Sequence, residues 1–470
     1  MKKIRTLLFT MLLFVCTIAI IGCTKKDNDD KNDGNDGNNT PTINLTYAEW
    51  GDQTVAQKML DAFMAEHKNI KVTLDTSITG SGTAFTTNLI AAAQANMLPD
   101  VFVTDNVPSV IAAGLVRDIS EFWNNDEDAK LVYDNIANTA VYKDLEGNSI
   151  RLAAPSYQFI KGVLVNKTLL NNLGVDIPEY NWTFDDFDAI CREIQKVGKY
   201  GNYPVHAVNG YNGTLDFEKA MTAQAGVGLG YDTWNGNSFD YTNPVWIRYR
   251  KLTEEYYDTK LLEQLTAEEK EQYYGSPDAW PFMQGHTAFG FEGSWNVIST
   301  LEQFSAANQD VEFYPYPAGK EAKEAVILDY MCVSALTSYP KEAYELMKWM
   351  SFGRDGWAKR LEIMKETGTG LDRYPVAEYP EIWENINTYM ETLNETKNYS
   401  GLIYCIQNIK NGAPDCDKWL PGYMDFWNHI NDTAEEEGWY DKEAEQLARE
   451  WTELLNKMVD EAYEKLKLSK

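Results

Sequence analysis

The sequence predicts an α/β protein of two lobes, each a mainly parallel sheet flanked by helices. Three observations predict it. Strand-like alternation and helical stripes succeed one another as β-α-β-α-β between Ile43 and Thr104. A second α/β pattern begins at Pro155, and residues 42–470 are numerous enough to build two separate hydrophobic cores.

The elements follow in order. Ile43-Asn44-Leu45-Thr46-Tyr47-Ala48 alternates with the period of a strand. Thr54 to His67 places Val55, Met59, Ala62 and Phe63 on one helical face. Ile70, Val72 and Leu74 alternate again. Phe85, Leu89, Ala92 and Ala93 make a second helical stripe, ended by Pro99, and Asp100 to Thr104 reads as a strand buried on both faces. Such a run folds as a parallel sheet with right-handed crossovers. Beyond Pro155, Gly162 to Val165 is a short strand, and Thr183 to Asp186 has capping-box spacing ahead of a helix running to Val197. Val205 to Val208 is a strand leading into the loop Asn209 to Gly213, and His286 to Phe291 a strand ending in Glu292-Gly293-Ser294-Trp295. Ala325 to Asp329 is extended and Pro340 to Phe352 helical. The last third is mostly helix, amphipathic from about Asp441 onward, and no internal repeat is evident.

The start of the chain has a different character. Lys2, Lys3 and Arg5 precede an apolar run from Leu7 to Ile21, the length of a signal-peptide core and short for a membrane span. It ends in Ile20-Ile21-Gly22-Cys23, which resembles the bacterial lipobox, where the cysteine thiol takes a diacylglycerol. Acylation at Cys23 would anchor the chain to the outer face of the cell membrane, each buried methylene adding roughly 0.8 kcal/mol. The alternative is an ordinary signal peptide with an incidental cysteine. Residues 1–22 are thus read as signal and 23–41 as a solvated tether, because Thr24 to Pro41 has almost no apolar side chain to offset the entropy of ordering. Lys31 breaks the ligand spacing that a calcium loop would need there.

With 71 acidic and 42 basic residues the net charge is −29, a surface that repels nucleic acid and anionic lipid. Cys191, Cys332, Cys405 and Cys416 remain after the anchor; Cys405 and Cys416 could close a disulfide or stay as buried thiols. No Cys-x-x-Cys or paired-histidine spacing suggests a metal, and no cofactor is implied.

In open parallel sheets ligands bind beyond the carboxyl ends of the strands. This nominates Glu49, Trp50 and Asp52, the loop from Ser77 to Thr83, and Asp105 with Asn106. A Trp beside two acids suits a polyol, its face on C–H groups and the carboxylates on hydroxyls; the alternative for Trp50 is core packing under a loop.

Several segments, in order, resemble family 1 extracellular solute-binding proteins, the maltodextrin-binding-like receptors of ABC importers. They are Leu98-Pro99-Asp100-Val101, Gly114 to Ile119, Pro155 with Gly162 to Lys167, Phe282 to Phe289 followed by Gly293-Ser294-Trp295, and Lys341 to Leu346. His286-Thr287, where the family has Lys, and an insertion-rich region between Thr214 and Trp280 depart from it. The resemblance implies the periplasmic-binding-protein-like fold with three hinge crossings, near Pro155, Asp329 and Tyr374-Pro375. The N-lobe would hold 42–154 and 329–374, and the C-lobe 155–328 and 375–470. It also implies ligand contacts at Trp50, Asp105, Asn106, Trp295, Asp329, Tyr330, Trp419 and Trp427, with Tyr157 and Tyr211 as loop candidates and Glu292 beside Trp295.

The expectation is a monomeric, non-enzymatic trap that closes on a carbohydrate, an oligosaccharide by preference, and delivers it to ABC permease subunits. Release as well as capture sets an affinity on the order of −8 to −10 kcal/mol. Two other readings stand beside it: a binding protein for a cationic ligand such as a polyamine, and a surface glycoside hydrolase using paired carboxylates such as Asp105 and Glu292.

Overall fold

Two long strands organise the fold, and both are longer than the sequence suggested. The computed structural model describes residues 41–209, 217–368, 371–395 and 397–470. Signal, tether and Cys23 lie outside these residues, as does Tyr211. The strands are β1 (Ile43–Ala48), β2 (Ile70–Leu74), β3 (Val101–Thr104), β4 (Val141–Lys143), β5 (Ser149–Arg151), β6 (Ala154–Asn166) and β7 (Lys199–Tyr200). After them come β8 (Tyr203–Pro204), β9 (His206–Val208), β10 (Thr287–Gly293), β11 (Val311–Tyr314), β12 (Ala325–Val333) and β13 (Ala413–Pro414). Nine of these form one sheet in the order β2-β1-β3-β12-β6-β10-β9, with β11 on β6 and β13 on β12.

Apart from β12 with β13, the parallel pairings belong to the predicted βα units. β1 runs parallel to β2 and β3, and β10 to β9. The antiparallel pairings come from the two long strands: β12 joins β3 and β6, and β6 joins β10 and β11. The predicted strand at Gly162 to Val165 is therefore only the end of β6, which runs back to Ala154.

β6 and β12 meet where Pro155 lies. Proline has no N–H to give to a ladder, and the register shifts opposite it, between Asp329 and Tyr330. Ser156 fills the irregularity by donating its hydroxyl to the Asp329 carbonyl at 3.1 Å. Gln158 exchanges backbone bonds with Tyr374 (3.1 and 2.9 Å), and its amide reaches the Pro375 carbonyl at 2.6 Å. Three segments far apart in sequence, around residues 155–158, 329–330 and 374–375, thus lie side by side.

Apolar side chains divide into two main cores. One packs Leu45, Tyr47, Met59, Phe63, Phe102 and Met331 around β1, β3 and β12; the other packs Val165, Trp182, Phe187, Val208, Phe289 and Tyr314 around β9, β10 and β11. Thr42–Lys470 forms one compact unit. The capping box is as read: Thr183 accepts from the Asp186 N–H at 3.2 Å and Asp186 from the Thr183 N–H at 2.8 Å. All four described cysteines are buried free thiols. Among the described residues no helix is long and apolar enough to cross a membrane.

Candidate functional site

The loop after β1 leads into the helix Gln53–Glu66. Asp52 is its N-cap, accepting from the N–H groups of Thr54 (2.8 Å) and Val55 (3.3 Å), a role worth about 1 kcal/mol. Glu49 is buried and accepts from the Tyr47 hydroxyl at 2.7 Å. Trp50 is half-buried, edge-on to Phe85 with ring centres 5.2 Å apart. Between them, a Cβ on Gly51 would lie 3.1 Å from Glu49 Oε1 and 3.3 Å from both terminal nitrogens of Arg373. Glycine leaves room for the guanidinium against this loop.

Arg373 ties the loop to β6. It grips Asp372 with two bonds, 3.1 and 3.0 Å, and lies over the rings of Tyr157 (4.8 Å) and Phe159 (5.8 Å). Burial alone would raise the Asp372 carboxyl, but Arg373 more than offsets this and holds it below the usual carboxylate range. Trp295 stands in the first turn of the helix Ser294–Ala306, edge-on to Phe159 at 6.0 Å, and 41% exposed. Its indole folds back over Gly293, where a Cβ would come within 2.2 Å of ring atoms. Ser294 fixes the turn, donating to the Asp372 carbonyl (2.7 Å) and accepting from the Ile160 N–H (3.2 Å). Glu292 is half-buried; burial raises its carboxyl, while hydrogen bonds from the Gly293 N–H and Asn296 oppose the rise.

Of the predicted residues, Glu49 lies across Gly51 from Arg373 and Trp295 packs on Phe159, which Arg373 also covers; Trp50 and Glu292 are their neighbours along the chain. Tyr157 braces the group from below: enclosed by protein, it donates to the Met350 carbonyl and accepts from Arg360 at 2.8 Å.

A second group forms at the end of β3. Asp105 accepts from the hydroxyls of Thr86 (2.6 Å) and Thr83 (3.3 Å), and Asn106 caps the helix Val107–Ala112 through the Ser109 N–H at 2.9 Å. Lys418 comes to them from far along the chain. Its carbonyl accepts from the Val107 N–H at 2.8 Å and its ammonium bonds Asp329 at 2.5 Å. Burial would depress the Lys418 ammonium, but Asp329 and then Asp415 and Asp105 more than offset it. Tyr330, next along β12, is wholly buried in the core. Trp419 is buried too, its indole N–H on the Asp415 carbonyl (2.8 Å) and its own carbonyl taking the Tyr142 hydroxyl (2.6 Å). Trp427 lies in the wall of a cavity of about 990 Å³ among helices, with Lys219 over its ring at 4.4 Å.

Sequence reasoning missed Arg373, Asp372, Phe159 and Lys418. Arg373 and Asp372 directly precede the predicted crossing at Tyr374-Pro375, a signal that could have found them. Lys418 carried none.

Asp415, buried beside this group, has no hydrogen-bond partner on either carboxylate oxygen among the described residues. Burial, then Asp417, pushes its carboxyl up to about 8 against the pull of Lys418, Lys161 and Lys219. An exposed aspartate releases its proton near ~3.9, so folding takes up a proton between these values and stability falls as pH rises from about 4 to about 8. In urea unfolding, Asp415→Asn should flatten that fall, with little change below about pH 4 and a gain in stability that grows toward about pH 8. Glu324, pushed up to about 8 by burial, leaves a residual slope.

Residues 47–352 match the family model of bacterial extracellular solute-binding proteins. The chain belongs to that family. No curated protein sequence matches it. Among solved structures, this solute-binding protein resembles an ABC substrate-binding protein from Listeria monocytogenes in complex with cycloalternan. The TM-score is 0.59 at 17% identity, over 90% of this chain and 98% of that one. The cyclic alpha-maltosyl-1,6-maltose binding protein of Arthrobacter globiformis gives a TM-score of 0.64 at 17% identity, over 89% and 100%. The sugar-binding protein MalE of Xanthomonas citri gives 0.63 at 12% identity, over 89% and 98%. At these identities the likeness is one of fold: a periplasmic-binding-protein-like α/β architecture.

Proposed function

We propose that this solute-binding protein captures a neutral oligosaccharide on the group around Arg373, with Trp295 as the stacking platform. The observation that carries the reading is the exposed Trp295 face packed on Phe159, whose ring the Asp372-paired Arg373 also covers. Arg373 is matched by Asp372 and Lys418 by Asp329. With both cations matched, the site makes no demand for a phosphate, and Glu49 and Glu292 are left as acceptors for sugar hydroxyls. The saccharides named with the Listeria and Arthrobacter proteins support the same class.

Closure would be a hinge motion of two lobes about the three adjoining segments near Pro155, Asp329 and Tyr374-Pro375. Cys23 would carry the lipid anchor, the tether would hold the domain off the outer face of the membrane, and the closed monomer would present the sugar to ABC permease subunits. Thermal unfolding against a panel of mono- and oligosaccharides tests the substrate class. A true ligand at a hundredfold excess over its dissociation constant stabilises by about 2.7 kcal/mol. A raised midpoint with the sugar recovered intact is expected. A cleaved sugar would instead establish a hydrolase, and a rise with polyamines alone a cation receptor.

A further inference from the structure

Behind the proposed site lies a buried basic side chain, Arg360, of the helix Arg354–Thr367. It is 4% exposed, and among the described residues no carboxylate comes within ion-pair distance of its guanidinium. It donates to the Tyr157 hydroxyl at 2.8 Å and to the Met350 carbonyl at 3.4 Å. Met350 ends the helix Pro340–Met350, and a helix C-terminus offers only about half a counter-charge. A buried cation matched so incompletely lowers stability, and proteins retain such groups where a site needs them.

Arg360 shares the Tyr157 ring with Arg373. The two guanidinium carbons lie 5.0 and 4.8 Å from the ring centre. The Tyr157 hydroxyl is held between Arg360 and the Met350 carbonyl, and Trp357 meets the ring edge-on at 6.0 Å. Arg373 is thus stacked on a fixed surface while it grips Asp372. Arg360 reaches the acids of the site by charge as well. Burial raises the Asp372 carboxyl, Arg373 lowers it, and Arg360 adds to Arg373. Burial and then Glu49 raise the Tyr47 hydroxyl, and Arg360 opposes them. Counted together, Arg373 and Arg360 balance Asp372 and Glu49.

We infer that Arg360 is a positioning residue of the sugar site, fixing the Tyr157 ring on which Arg373 lies and completing the charge balance of the group. The inference rests on the site proposed above. Without Arg360 the Tyr157 hydroxyl loses one of its two bonds, and Asp372 and Glu49 share a single cation. Arg373 is then drawn off the ring toward the acids, and its placement for the sugar is lost.

Arg360→Met keeps the length of the side chain and removes its charge and donors. A crystal structure of this variant without ligand should show Arg373 moved off the Tyr157 face. Calorimetric titration uses cyclic alpha-maltosyl-1,6-maltose, maltotetraose and xylotetraose as probes. For any that binds the natural chain, Arg360→Met should weaken binding about tenfold or more, with the urea midpoint little changed. Arg360→Lys keeps the charge and a donor for Tyr157, and should bind within about threefold of the natural chain. Arg373 still stacked on Tyr157 in the Arg360→Met crystals would overturn the inference, and the crystals decide alone if no probe binds. Undiminished binding would also overturn it, as would a loss that follows a lowered urea midpoint and is not recovered by Arg360→Lys. Trp295→Ala, titrated in parallel, separates this role from the site itself. Loss in Trp295→Ala alone would keep the site and remove Arg360 from it. Loss in Arg360→Met alone would keep the role of Arg360 and remove the stacking platform.

Discussion

Trp295→Ala is expected to weaken sugar binding by about 2–4 kcal/mol, roughly 30- to 1,000-fold, while unfolding changes by no more than about 1 kcal/mol. The asymmetry follows from where the side chain sits. Its indole is 41% exposed and meets Phe159 edge-on, so truncation removes little packing. It leaves Arg373, Asp372 and Glu292 in place but without the flat apolar surface on which a sugar ring would lie. Titration of the sugar that gives the largest thermal shift, in parallel with urea unfolding, reads both quantities. An unchanged dissociation constant would remove Trp295 from the site, and a collapse of stability would make it a packing residue.

The second large effect concerns the pair that links β12 to the end of β3. Asp329→Asn leaves the Lys418 ammonium without its partner in a place where water reaches it poorly. Removing one member of a buried pair costs about 3–5 kcal/mol, and the partial exposure of Lys418, 22%, lowers the expectation to about 2–4 kcal/mol. The double change Asp329→Asn with Lys418→Met should recover much of that loss, because no stranded charge remains. Unfolding free energies for the two singles and the double form the cycle. Simple additivity would mean that the two side chains do not depend on each other.

Much of this fold was legible in the sequence, for reasons that are local. The stripe through Val55, Met59 and Phe63, the alternation at Ile70 to Leu74, and the Thr183–Asp186 capping box each depend on neighbours a few residues away. β6 was under-read because Ala153-Ala154-Pro155-Ser156 lacks the alternation of a half-buried strand; it is buried on both faces and interrupted by a proline. Strand periodicity also bears on the candidate site. Asp329 and Tyr330 are consecutive on β12, and consecutive side chains point to opposite faces, so the two could not readily line one cleft. Asp329 meets Lys418 and Tyr330 goes to the core.

What could not be read was which cations would answer which acids. Arg373 reaches Gly51, more than three hundred positions away, and Lys418 reaches Asp329 and the start of the Val107 helix. From sequence the strand ends looked purely acidic. In the folded chain Asp329 is matched by Lys418, and Glu49 lies across Gly51 from Arg373; both favour the neutral sugar, already preferred from sequence, over a polyamine.

The most direct measurement of the central claim is a crystal structure with the neutral oligosaccharide that stabilises the chain most. A sugar ring stacked on the Trp295 indole is predicted, with hydroxyls within hydrogen-bond distance of the Arg373–Asp372 pair and Glu292. A sugar bound elsewhere, with the Trp295 face left to solvent, would contradict it.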